Sequence, residues 1–204
     1  QTAEVSWTEP WFLDRPLALT IDAYRRMRWY DQYDEIRSGA SAGLSYPVKF
    51  GRVGARYTLE LVEMDDVDKG LWYTDPNTDE FGWFDDEISN RYFREQEREF
   101  GDAINSVIRL YWAHDTRDQH FVPTKGYQTT VFGELMEGAI GDNEIYKLGA
   151  NYRHWFRMPW YKHVLSLRAR AETVEAYSGD VPIYEKLFLG GPRTVRGVEY
   201  RDIG

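Results

Sequence analysis

Leu17-Ala18-Leu19-Thr20-Ile21-Asp22-Ala23-Tyr24-Arg25-Arg26-Met27-Arg28-Trp29 is the stretch on which the fold turns. Leu17, Leu19, Ile21, Ala23, Met27 and Trp29 fall on one side of an extended chain; Thr20, Asp22, Tyr24, Arg26 and Arg28 fall on the other. This is the two-residue period of a β-strand, whose successive side chains point to opposite faces. Only Arg25 interrupts the apolar side, near the strand end, where a long cationic side chain can snorkel.

The same alternation recurs along the chain. In 51–61, Val53, Ala55, Tyr57, Leu59 and Leu61 oppose Arg52, Arg56, Thr58 and Glu60. In 104–115, Ile104, Ile108, Leu110 and Trp112 oppose Asn105, Arg109 and Asp115. In 164–174, Leu165, Leu167, Ala169 and Ala171 oppose Ser166, Arg168, Arg170 and Glu172. Segments 3–9, 35–47, 126–139 and 144–157 read as further strands. In 144–157, Tyr146, Leu148, Ala150, Tyr152 and Phe156 oppose Lys147, Asn151 and Arg153; in 126–139, Phe132 and Met136 share a side with Gln128 and Glu134. The reading is all-β, with about eight consecutive strands, many longer than the ~5–6 residues usual in globular proteins. A tilted strand crossing a bilayer takes ~9–11.

The polar sides choose between the β architectures. They carry full charges in mid-strand, among them Arg26, Arg52, Arg56, Arg109, Arg153, Arg168 and Arg170. A small soluble barrel has no dry interior that tolerates so many guanidiniums. A large membrane barrel presents its apolar side to lipid and its charged side to a wet lumen. An antiparallel transmembrane β-barrel is therefore expected; a soluble all-β ligand-binding domain, with the aromatics as a sugar platform, is the competing architecture. The arginines pair structurally with Glu60, Glu134 and Glu172, or else line a conducting or substrate path.

Composition agrees. The 204 residues carry 25 Lys and Arg against 34 Asp and Glu, a net charge of −9, which argues against a nucleic-acid partner. Cysteine is absent, so disulfide frameworks, thiolate metal sites and cysteine nucleophiles are excluded. No apolar run reaches 18 residues, which speaks against a transmembrane helix and says nothing of a barrel. Aromatics make up 16% of the chain, and Trp11, Trp29, Tyr30, Trp155, Trp160 and Tyr161 near strand ends suit the bilayer interface. Gln1 is not an initiator, and the chain reads as a mature product or an excised fragment.

Connections alternate in length. Those near 10–16, 47–51, 116–126 and 158–162 are short to medium and contain proline; the opposite end holds the long connection 65–103 and the terminal segment 178–204. Outer-membrane barrels have short periplasmic turns and longer outer loops, so 65–103 and 178–204 are expected outside. Residues 87–99 are expected to form a short surface helix there. In the same loop Asp75, Asn77 and Asp79 have the spacing of calcium-loop ligands, but Glu80 stands where that loop needs glycine and Asp86 where it needs glutamate. A solvated acidic loop is the expectation. His114, His120, His154 and His163 lack metal-ligand spacing, and His154 falls on the lipid side. No catalytic residue, cofactor or metal is expected.

The most specific stretch closes the chain: Tyr184-Glu185-Lys186-Leu187-Phe188-Leu189-Gly190-Gly191-Pro192-Arg193-Thr194-Val195-Arg196-Gly197-Val198. It resembles the conserved loop of the BamA superfamily, outer-membrane barrels of the bacterial surface antigen type, whose hallmark is Val-Arg-Gly-Phe after a Gly-Gly-Pro-like turn. Val198 replaces the phenylalanine. Asp115-Thr116-Arg117-Asp118, with Pro123 and Gly126 following, resembles the family's middle strand-turn signature, and Thr8 to Asp14 its early turn. The resemblance implies a barrel of the sixteen-strand type. The present chain would be strands four to eleven and the start of the sixth outer loop, without the periplasmic POTRA domains or the first and last strands.

It also implies roles. Gly190, Gly191, Pro192, Val195, Arg196 and Gly197 would form a loop folded into the lumen, with Arg196 pairing to an acidic wall residue that in the family usually lies on a later strand, beyond Gly204; Glu134 and Glu172 are the candidates within this chain. Asp115, Arg117, Asp118, Pro123 and Gly126 would be a structural turn, against the alternative of a catalytic carboxylate pair. The implied function is folding and insertion of nascent outer-membrane proteins in the bacterial outer membrane. The implied partners are the lipid bilayer, those nascent proteins and, through POTRA domains, assembly-complex lipoproteins and periplasmic chaperones. A polypeptide-secreting pore of the two-partner or related translocation type is the alternative on the same fold.

Overall fold

The computed structural model describes residues 2–29, 34–65, 71–74, 81–84, 102–137, 140–160, 163–190 and 197. Among the described residues ten strands follow one another: β1 (Thr2–Glu9), β2 (Ala18–Trp29), β3 (Asp34–Val48), β4 (Gly51–Asp65), β5 (Leu71–Thr74), β6 (Phe81–Phe84), β7 (Asp102–Asp115), β8 (Gly126–Met136), β9 (Glu144–Arg157) and β10 (Val164–Ser178). Eight form one antiparallel sheet in the order β1-β2-β3-β4-β7-β8-β9-β10; β5 and β6 pair as a separate hairpin. Each strand of the large sheet thus pairs with its neighbours in sequence, apart from the β5–β6 excursion, and β1 and β10 end the described sheet.

The eight expected strands are all present, and their extents differ most at three of them. β4 runs to Asp65 and β10 to Ser178, beyond the ends expected at 61 and 174; β8 stops at Met136, short of 139. The overlong strands continue because they find backbone partners: Asp34 faces Asp65, and Ser178 faces Glu144. The stretch 65–103 is not all loop, since it contains the β5–β6 hairpin. The expected helix at 87–99 and the calcium-like spacing at 75–86 lie outside the described residues.

The two faces are inverted relative to a soluble protein. Leu59, Leu61, Ile104, Ile108, Leu110, Leu148, Leu165 and Leu167 are exposed, while Asp22, Glu35, Ser41, Glu60 and Asn105 are buried on the concave face. Charged residues are rarely buried unless paired, and a lipid-facing exterior around a polar interior produces this inversion. His154 lies on the outer face as expected, stacked on Phe156 with ring centroids 3.9 Å apart.

The concave face changes character along the strands. Toward the connections that bear prolines it carries cations such as Arg52 and Arg153, and toward the opposite end of β2 and β3 it carries Arg26, Glu35 and Arg37. From β4 to β9 that end is lined by apolar side chains, with Val62 and Met64 on β4, Ala103 and Val107 on β7, Met136 on β8 and Ile145 on β9, directly beside the charges of β3. Against this apolar end lies the chain after β10. Ile183 and Tyr184 join Val62, Met64 and Ala103, with Phe188 alongside; Val181 packs on Val107, Met136 and Ile145. The core of the molecule is thus a seam between the strand wall and the segment 181–188.

Candidate functional site

The seam is closed by charge. Pro182, fully buried, opens a tight turn in which the Glu185 and Lys186 amides donate to the Pro182 carbonyl at 2.9 and 3.2 Å. The turn aims the Glu185 carboxylate at the wall. Arg37 Nη1 donates to Glu185 Oε1 at 2.9 Å, and Lys147 Nζ donates to Oε2. Arg37 is itself held: Nε donates to Glu35 at 2.8 Å, Nη1 to Glu60 at 3.1 Å and Nη2 to the Tyr184 carbonyl at 3.0 Å. Tyr24 donates to the other Glu60 oxygen at 2.7 Å, and the Arg37 guanidinium lies over the Tyr184 ring, 5.4 Å from its centroid. A planar guanidinium with several fixed donors suits this multiple pairing.

Electrostatics follow the geometry. Burial pushes the Glu185 carboxyl up, but Lys147 and Arg37 outweigh it and hold it below the ordinary glutamate value. Burial raises the Tyr184 phenol above its usual range, so it stays neutral. Its oxygen accepts from Asn143 Nδ2 at 2.8 Å, and the same amide donates to Asn105 at 2.6 Å.

Gly190 and Gly197 both have positive φ, 124° and 84°. The other residues of the loop motif, Gly191, Pro192, Val195 and Arg196, lie outside the described residues. The two wall acids put forward for Arg196 are already engaged. Glu134 accepts from Arg109 Nη1 at 2.5 Å, the pair sitting directly opposite each other in the β7–β8 register. Glu172 accepts from Arg170 on its own strand.

Other concave-face arginines are also in pairs or stacks. Arg56 donates to Asp22 at 2.6 Å, Arg26 to Glu4 at 2.9 Å and Arg52 to Ser45 at 2.9 Å; Arg153 lies over the Trp155 ring. This favours the structural reading of these arginines over a free cationic path. Glu60, however, pairs with Arg37, which pattern reading did not single out. Trp155 corrects the aromatic belt. It is 8% exposed and on the concave face, beneath Arg117 and Arg153, because it shares the parity of Lys147, Asn151 and Arg153. Trp11, Trp29 and Trp160 are exposed, as an interface position requires; Tyr30 and Tyr161 lie outside the described residues.

The turn between β7 and β8 is a self-contained polar knot. Arg117 grips Asp115 through Nε at 2.9 Å and Nη2 at 2.5 Å, and donates to the His120 carbonyl at 3.2 Å. Asp118 Oδ1 accepts from the amides of Gln119, Thr124 and Lys125 at 3.0, 2.9 and 3.2 Å, and Oδ2 from the Thr124 hydroxyl at 2.6 Å. The Thr124 bonds and these amides lower the Asp118 pKa. Pro123 sits inside the span that Asp118 closes. Gly126 has φ 101°, and a Cβ there would meet the Thr116 carbonyl oxygen at 2.4 Å. Both carboxylates are consumed by local donors, which leaves no free acid–base pair. Among the described residues no group of three or more His, Asp or Glu is placed to hold a metal ion.

An antiparallel sheet with an apolar exterior, a charged concave face and a following segment folded into that concavity defines part of a transmembrane β-barrel. Comparison with known proteins narrows the class. The Omp85 superfamily domain matches residues 1–204, and the chain belongs to that superfamily. It is 30% identical over 201 residues to the outer membrane protein assembly factor BamA of Nitratidesulfovibrio vulgaris, covering 97% of this chain and 23% of that protein. It is similar in fold to the crystal structure of BamA from Haemophilus ducreyi lacking POTRA domains 1–3. The TM-score there is 0.74 at 17% identity, over 100% of this chain and 38% of that one. The chain therefore spans less than half the length of the relatives it matches, and it is part of a bacterial outer-membrane barrel.

Proposed function

We propose that this chain is the middle of the barrel of an outer-membrane protein assembly factor, one that folds and inserts nascent β-barrel proteins. The observation that carries the reading is the seam. The segment leading into Gly190-Gly191-Pro192-Arg193-Thr194-Val195-Arg196-Gly197 is docked on the inner wall, so the loop it delivers is launched from inside the concavity. On this reading the proline-bearing connections face the periplasm, and 65–103 and 178–204 lie on the outer side. The complete barrel has sixteen strands. The function is exchange of hydrogen bonds between strand edges, since each strand must be paired before it enters lipid. It involves no covalent step. Nascent outer-membrane proteins and the bilayer are the direct partners; lipoproteins and periplasmic chaperones engage through POTRA domains.

The test is Arg196→Ala in the full-length protein, assayed by insertion of an outer-membrane client into vesicles. Reduced client folding with a looser, more protease-sensitive loop is expected. Client folding, heat-modifiability and protease resistance all equal to wild type would overturn the role given to Arg196. Intact client folding combined with lost export of a secreted polypeptide would favour the secretion pore instead.

A further inference from the structure

The Glu185 carboxylate joins two strands that are not neighbours. In the sheet order, β4, β7 and β8 stand between β3, which carries Arg37, and β9, which carries Lys147. Four strand spacings amount to ~19 Å on a flat sheet, with both side chains standing upright from it. They meet at one carboxylate because the sheet curls around it. Backbone ladders hold each strand only to its neighbours, and the side-chain links from Asp22 to Arg56 and from Tyr24 to Glu60 cross a single intervening strand.

We propose that Glu185 is a tie across the concave face: a positioning residue that binds β3 to β9 and so sets the curvature of this arc of the barrel. Both of its oxygens are used, one for each side. Each end is anchored in the wall. On one side, Arg37 is fixed by Glu35 of its own strand and Glu60 of β4, and Tyr24 of β2 holds Glu60, so pull on Glu185 spreads over three strands. On the other, Lys147 lies between β8 and β10, opposite Glu134 and Val174, in the regular part of both ladders. The tie itself stands on a base that does not depend on charge, because Ile183, Tyr184 and Val181 pack into the apolar clusters on either side. Removing the charge therefore leaves the segment seated, with Arg37 still bonded to the Tyr184 carbonyl, and releases the carboxylate link between β3 and β9.

The chain has no cysteine, which permits a direct measurement. Ala40 on β3 and Ala150 on β9 are exposed on the outer face. Spin labels at Ala40→Cys and Ala150→Cys, in the full-length protein with any other cysteines removed and reconstituted in phospholipid vesicles, report the distance between the two strands. With Glu185→Gln the distance distribution is expected to broaden and its mean to lengthen, on the order of one strand spacing, ~5 Å. Lys147→Gln should do the same, and the double variant no more than either alone. Glu172→Gln, whose partner Arg170 is on its own strand, should leave the distance unchanged. An unchanged distribution in folded Glu185→Gln or, if that variant does not fold, in Lys147→Gln would overturn the tie. That result would leave the assembly reading untouched, since the measurement reads geometry and not client folding.

Discussion

The two polar constructions at opposite ends of the sheet solve the same problem by opposite means. In the β7–β8 turn, Asp115, Arg117 and Asp118 find partners within seven residues, close to water. At the seam, Arg37 and Glu185 are 148 residues apart in the chain and meet in a buried space with Glu35, Glu60 and Lys147. The turn costs little desolvation and secures one connection. The seam takes several charges out of water, which is tolerable only because each is paired, and it secures the relative position of distant parts. Local polar contacts shape a loop; distant buried ones shape a barrel.

The contrast can be broken most forcefully at Arg37. Arg37→Ala leaves three carboxylates at the seam with their common cation gone, and breaking a buried ion network in this way costs about 3–5 kcal/mol. Loss of the heat-resistant folded form at a lower temperature than wild type would record it; an unchanged transition would mean the seam contributes nothing to stability. Next in size is Gly126→Ala, which forces a side chain into a left-handed position against the Thr116 carbonyl, a strain of about 1–3 kcal/mol. The urea midpoint of refolded protein measures it. Here the turn would be shown to matter through its backbone more than through its charges.

The smallest effect concerns Asp118 and sharpens the comparison. Its carboxyl is held below the ordinary aspartate value by Thr124 and the surrounding amides. A depressed carboxyl contributes fully above the unfolded value, ~3.9, and loses its contribution as pH falls through the folded one. Protection of the Thr124 and Lys125 amides, measured against the unstructured exchange rate at each pH, should therefore persist below pH 4 and fall at lower pH. Asp118→Asn should lower this protection at neutral pH, without moving the transition that reports the seam. A coupled response would show that the two ends are not independent.

These two constructions also mark what was legible in the sequence. Strand faces were readable because alternation is local: Val53 to Leu61 point outward, and Arg52 to Glu60 inward. The turn was readable as a motif, with Gly126 in place for a physical reason. The β5–β6 hairpin was passed over because Leu71-Trp72-Tyr73-Thr74 and Phe81-Gly82-Trp83-Phe84 are short and embedded in acidic sequence, though their aromatics were a strand signal. Trp155 was misplaced by its nearness to a strand end, although its parity with Arg153 already put it inside. The Arg37–Glu185–Lys147 group had no sequence signal, since nothing in local spacing tells which of 34 carboxylates meets which of 25 cations.

The separation of 148 residues between Arg37 and Glu185 also orders events in time. Closing a longer loop costs more chain entropy, if only logarithmically, and hairpins form in about 1–10 μs. The β7–β8 turn, whose partners are near one another in the chain, can therefore close early and set the register of its two strands. The Glu185 bridge can form only after β3 and β9 have both been laid down. By its chain separation it belongs among the later bonds of the described arc to be made.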